Sequence, residues 1–130
     1  MTQLIRVALV AVTAALCVTL PTGGAQAATP TKNTLYTDAS VDADQPGSIK
    51  IKVGSSTSKI AKLTLSVTCD DGSKEKVVRK DIRLSDGYFE VFVGPGQSIS
   101  GAFVSKKKAS GKFRVAICSG AFVGEFDAKK

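Results

Sequence analysis

From Ser48 to Asp127 apolar and polar residues alternate in short runs, broken about every eight to twelve residues by Gly, Pro, Asp or Ser. That rhythm predicts short antiparallel strands, and no helix of useful length. Ile49, Ile51 and Val53 alternate with Lys50 and Lys52, which suits an edge strand whose lysines discourage pairing with other chains. Leu63, Leu65, Val67 and Cys69 point inward against Lys62, Thr64, Ser66 and Thr68, and Asp70-Asp71-Gly72 then turns the chain. A third strand over Lys76 to Leu84 places Val78, Ile82 and Leu84 on one face, where Lys80 implies a bulge or an edge. Asp86-Gly87 leads through a tight turn into Tyr88 to Val93. Phe89, Val91 and Val93 face inward there, Tyr88, Glu90 and Phe92 outward, and Gly94-Pro95-Gly96 ends the strand. Ser98 to Ser105, Gly111 to Cys118 and Ala121 to Asp127 complete the series, with Thr34 to Asp38 as an eighth strand. The expected fold is all-β: a single antiparallel β-sandwich, immunoglobulin-like in architecture, of about seven to eight strands over residues 48–130. Residues 28–47 precede it as a partly flexible segment.

The N-terminus has a different pattern. Arg6 precedes an unbroken apolar run from Val7 to Leu20, closed by the small residues Gly23 to Ala27. Fourteen residues fall short of a membrane span, and Ala25-Gln26-Ala27 suits signal peptidase, so residues 1–27 are expected to be an export signal cleaved after Ala27. Cys17 is not expected to be a lipidation site, because the bulky Leu16 stands where a lipoprotein signal has a small residue. The polar stretch from Glu125 to Lys130 supplies no second anchor. A secreted, extracellular product, free or associated with the cell wall, is expected, with no membrane partner after cleavage.

Once Cys17 leaves with the signal, Cys69 and Cys118 remain as the expected disulfide of an oxidising compartment. Closing a loop of this length stabilises a domain by roughly 4 kcal/mol on the chain-entropy account. The strand pattern conflicts with the pairing at one point: if Phe113, Val115 and Ile117 face inward, Cys118 faces outward while Cys69 faces inward. Either a bulge near Ala116 to Cys118 reverses the parity, or the disulfide lies at the end of the sandwich.

Charge and aromatic content give the candidate contact residues. Loss of Arg6 leaves 17 basic and 11 acidic residues, a net charge of +6. The densest basic group is Lys106, Lys107 and Lys108, with Lys112 and Arg114 close behind. Such a loop attracts anionic envelope polymers in a salt-sensitive way, or else is simply a solvated turn. No aromatic residues interleave with it and no recognition motif is present, which argues against specific nucleic-acid binding. Tyr88 and Phe92, on the outward face of their strand, are candidate stacking residues for a sugar or a protein partner unless a neighbouring segment covers them.

Catalytic and metal chemistry find little footing. The chain has no histidine, which removes the usual general base of serine and cysteine hydrolases and a common zinc ligand. Ser-x-x-Lys occurs at Ser56 and Lys59, Ser73 and Lys76, and Ser105 and Lys108, but none opens a helix. Asp81 and Glu90 are a formal carboxylate pair with no sign of a cleft. The run from Asp42 to Gly47 starts like a calcium loop, yet Pro46 replaces an oxygen donor and Val53 stands in place of the closing glutamate. The remaining metal option combines Asp38, Asp42 or Asp44 with Asp70 and Asp71. No enzyme, cofactor or metal is expected.

Three segments share a glycine-aromatic spacing: Ile99 to Phe103, Ala109 to Phe113 and Cys118 to Phe122, with Cys69 before its Asp-Asp-Gly turn as a further point. In this the chain resembles small secreted two-cysteine β-sandwich proteins of actinobacteria and other soil bacteria. The resemblance implies a two-layer sandwich with one disulfide and carries over no activity or functional residue. A true immunoglobulin domain differs in having a tryptophan packed on its disulfide, and this chain has no tryptophan. The functional expectation is a monomeric, non-catalytic module that binds an anionic envelope polymer or a protein. The alternative is an inhibitor of a secreted protease or other hydrolase, acting through Gly94 to Gln97 or Lys106 to Ser110.

Overall fold

The computed structural model describes residues 27–130. The expected signal segment lies outside the described residues, apart from Ala27. Nine strands follow in order: β1 (Thr34–Asp38), β2 (Asp42–Ala43), β3 (Gly47–Val53), β4 (Lys59–Thr68), β5 (Lys74–Arg83), β6 (Tyr88–Gly94), β7 (Gln97–Ser105), β8 (Lys108–Ile117) and β9 (Gly120–Lys129). They form one antiparallel sheet in the order β5-β4-β3-β1-β9-β8-β7-β6, with the two-residue β2 added beside β9. The sheet curls almost into a barrel. Its two end strands meet at a tight turn, where Ser85 bridges to Tyr88 across Asp86 and Gly87, both with positive φ.

The alternation expected for β3, β4, β6, β8 and β9 holds, and their inward faces form one core. Five of the six phenylalanines are buried, all on β6 to β9, while β3 and β4 supply Ile, Leu and Val. Tyr36 of β1 meets Phe103 of β7 edge-on across the interior, their ring centroids 5.0 Å apart. Phe89 and Phe126 press on the inner side of Gly101 and Gly111, which pair with each other in adjacent strands. A Cβ on Gly101 would lie 2.9 Å from both rings, so the glycines let β7 and β8 come down onto the aromatics.

Two strand expectations are corrected. Ile49 to Val53 is not an edge strand: β3 lies between β4 and β1, and Lys50 and Lys52 stand on the barrel's outer surface. An interior strand carries lysines freely when one of its faces is solvent. In β5 the core-facing residue is Val77, not Val78, which is exposed. Parity switches at Asp81, whose φ of 54° turns the backbone so that Ile82 again points inward. β4 carries a matching irregularity, with a register shift opposite Lys52 and Val53, so Ile60 and Leu63 are both buried three residues apart. β5 is an end strand of the sheet, the edge implied by Lys80, while the register shift lies between β3 and β4. Within residues 28–47, Asp42 and Ala43 pair with Glu125 and Gly124.

The cysteines resolve the parity conflict in favour of the end of the fold. Cys118 and Ser119, with φ of 56° and 60°, form a two-residue turn closed by Ile117 and Gly120. These angles are those of a type I′ hairpin, and they release Cys118 from the alternation of β8. The disulfide joins it to Cys69 just beyond β4, with the two Cα atoms 5.4 Å apart. Because β4 and β8 lie four places apart along the sheet path, the bond staples opposite walls of the barrel at one end.

Candidate functional site

The outer surface of β6 to β9 is built from two in-register rows. Tyr88, Ala102, Ser110 and Asp127 form the first, and Glu90, Ser100, Lys112 and Glu125 the second. At three of the four central positions, Ser100, Ala102 and Ser110, the outward side chain is small, Lys112 being the fourth, whereas β6 and β9 carry large or charged ones. A small-residue floor between tall rims is a groove. Its volume is about 1290 Å³, and its ends are closed by Arg83 and Ser85 before β6 and by Thr37 to Ser40 and Asp42 beside β9. A smaller hollow of about 670 Å³ shares Asp42, Lys112 and Glu125 and extends over Ser98, Arg114 and Val123.

The β1–β2 loop is fixed against this groove. Asp38 accepts hydrogen bonds from the backbone N–H of Ser40 at 3.1 Å and of Asp127 at 2.9 Å, which ties the loop to β9. Lys108 faces Asp127 at 3.2 Å. Glu90 and Glu125 stand three strands apart, roughly 14 Å at ordinary strand spacing, farther than the separation across which a carboxylate pair cleaves a glycosidic bond. The groove therefore offers dispersed acceptors and donors around one aromatic ring.

Of the sequence-predicted contact residues, the structure brings Tyr88 and Lys112 into the groove and leaves the others outside it. Phe92 is 74% exposed on the same face of β6 as Tyr88, which is 48% exposed, so among the described residues no neighbouring segment covers either. Four residues along a strand separate them by about 13 Å, too far to act as a single stacking platform. Lys106 and Lys107 form the two-residue β7–β8 turn at one end of the barrel. The backbone of that turn is pinned: Tyr36 Oη and Thr31 Oγ1 both donate to the Lys106 carbonyl, at 2.6 and 3.1 Å.

Other sequence candidates are put to structural use. Ser56 Oγ contacts Ser58 Oγ, Ser73 Oγ donates to Asp71, and Ser105 Oγ accepts from the Lys107 N–H, so each Ser-Lys serine is engaged away from its lysine. Asp81 faces Lys59 at 3.6 Å and does not line the groove where Glu90 lies. Among the described residues, the one group of three candidate metal ligands within 4.8 Å is Cys69, Glu75 and Cys118, and both of its sulfurs are bonded to each other. The aspartates proposed for calcium do not form such a group. The hydrogen bonds from Ser73, side chain first and backbone N–H second, hold the Asp71 carboxyl below its ordinary value.

Sequence reasoning missed Ser100, Ser110, Glu125 and Asp127, because their convergence depends on strand register rather than spacing. It also missed a basic face on the opposite wall. Lys52 pairs directly with Lys62, and Lys62 with Lys80, across β3, β4 and β5. The chain matches no protein-family model, no curated protein and no solved structure.

Proposed function

We propose that this chain is an exported, monomeric, non-catalytic domain that binds an extracellular or envelope polysaccharide along the groove of β6 to β9. The observation that carries the reading is the pair of in-register rows in which Ser100, Ala102 and Ser110 lie low between the larger side chains of β6 and β9. Sugar chains present hydroxyls that both donate and accept, and C–H faces that pack on aromatic rings. Tyr88 offers a half-exposed ring, Glu90, Glu125 and Asp127 accept hydrogen bonds, and Lys112 donates. The adjoining hollow, which continues the groove past Lys112 and Glu125, suits a polymer rather than a compact small molecule. The disulfide is consistent with an extracellular site of action.

The barrel also reads as two facing layers, β5-β4-β3-β1 against β9-β8-β7-β6, the sandwich expected from the strand rhythm. Contact of Tyr36 with Phe103 across the core supports this reading. The inhibitor alternative draws less support. Its two candidate loops, Gly94 to Gln97 and Lys106 to Ser110, fold into strand ends around the two-residue turns Pro95-Gly96 and Lys106-Lys107, which gives little to insert into a protease cleft.

The test is retention of the purified, oxidised protein on insoluble cellulose, chitin and peptidoglycan at high salt, beside Tyr88→Ala and Ser110→Trp variants checked for folding by circular dichroism. The proposal predicts retention on at least one polysaccharide, weakened about tenfold or more in both variants. Absence of retention on all three, or retention that both folded variants share, would contradict it.

A further inference from the structure

We infer that the outer face of β3 to β5 is a second binding surface, distinct from the groove, that takes a linear phosphodiester or polyphosphate chain. Lys52, Lys62 and Lys80 lie directly opposite one another on three adjacent strands, with Lys50 one outward position along β3 and Lys76 two along β5. Residues opposite one another across strands have Cβ atoms about 5 Å apart, and alternate residues on one strand lie about 6.7 Å apart. All five ammonium groups therefore stand on one small, solvent-exposed face.

Like charges directly opposite destabilise a sheet, and this face does nothing to offset them. The outward positions of β3 and β4, and of β5 as far as Lys80, hold no carboxylate; between the lysines stand Thr64, Ser66 and Val78. The nearby acids are turned to other uses: Asp81 faces Lys59, and Glu75 accepts from the Cys118 N–H at 2.6 Å. A polyanion laid over the row removes the repulsion and releases its own counterions. A phosphate chain suits such a row: it carries a charge on every unit of a short repeat, and lysine, the residue at all five positions, meets phosphate as a point charge.

Lys62, in the middle of the row, gives a test in which stability and binding move in opposite directions. Lys62→Glu replaces two repulsions with two attractions, so its thermal midpoint should rise, while affinity for inorganic polyphosphate should fall about tenfold or more. The slope of log affinity against log salt should become shallower by at least about 1. Lys62→Gln should show the same loss in smaller measure. Tyr88→Ala should leave polyphosphate binding unchanged, which separates this surface from the groove. Polygalacturonate, whose charges are carboxylates, should bind more weakly than polyphosphate of similar length. Unchanged polyphosphate affinity in Lys62→Glu, loss of binding in a Lys106→Ala/Lys107→Ala variant, or equal affinity for polygalacturonate would each overturn the inference.

Discussion

The hydroxyl of Tyr36, a fully buried residue of β1, donates to the main-chain carbonyl of Lys106 over 2.6 Å and accepts from the N–H of Thr31 at 2.9 Å. One phenol thus joins the N-terminal segment and the lysine turn to the core. Its ring also packs on Phe103, so removing the oxygen alone isolates the polar part of the contact. Tyr36→Phe should lower stability by about 1 to 2 kcal/mol in urea unfolding and speed amide exchange at Thr31. An unchanged midpoint would show that the turn holds itself.

The disulfide between Cys69 and Cys118 closes a sequence separation of 49 residues and spans opposite walls of the barrel. Replacing both cysteines by alanine should cost roughly 4 kcal/mol on the chain-entropy account. The barrel end should loosen first, seen as faster exchange at Ser119 and in the Asp70 to Ser73 turn than in β7. A loss below about 1 kcal/mol would show that the wall contacts suffice without the bond.

Gly101 and Gly111 belong to the repeated glycine-aromatic spacing, and their reason is now physical. A Cβ on Gly111 would stand 2.0 Å from the Ser100 carbonyl and 2.7 Å from the Phe126 ring, whereas one on Gly120 would meet nothing within 4 Å. Gly111→Ala should therefore destabilise the protein by about 3 kcal/mol or more, and Gly120→Ala by well under about 1 kcal/mol, in parallel thermal melts. Equal costs would contradict this account of the spacing.

Asp71 gives a pH prediction. Hydrogen bonds from Ser73 hold its folded pKa below the ordinary value of 3.8, so the stability it contributes is present above that value and is lost as pH falls through the folded pKa. The side chain is fully exposed, so the effect is small. Ser73→Ala should flatten the acid limb of the stability curve below about pH 4 and leave neutral pH less affected than Asp71→Asn does. An acid limb identical to that of the parent would sink the assignment.

How much of this the chain reveals in advance depends on the kind of constraint. The alternations in β3, β4, β6, β8 and β9 specify which residues are buried, since each strand has one wet and one dry face. The switch at Asp81 escapes that logic, because a single left-handed residue reverses the parity of everything after it. The interior place of β3 escapes too: lysines on its outer face look the same on an edge strand as on an inner wall of a barrel. Tyr88 and Phe92 were legible as outward residues. The groove was not, because Ser100 and Ser110 gain meaning only when register sets them between Glu90 and Glu125, or between Tyr88 and Asp127. The lysine row across β3 to β5 was hidden for the same reason.

The most direct test of the central claim is a chemical-shift titration of the isotopically labelled protein with soluble oligosaccharides of cellulose, chitin and peptidoglycan. The account predicts that one of them shifts the amides of Ser100, Ala102, Ser110 and Lys112 together, with Tyr88 ring resonances, and leaves those of Thr64 and Ser66 on the opposite wall unmoved. Saturable shifts confined to the Lys106–Lys107 turn or to β3 to β5, or no shifts with any of the three, would contradict it.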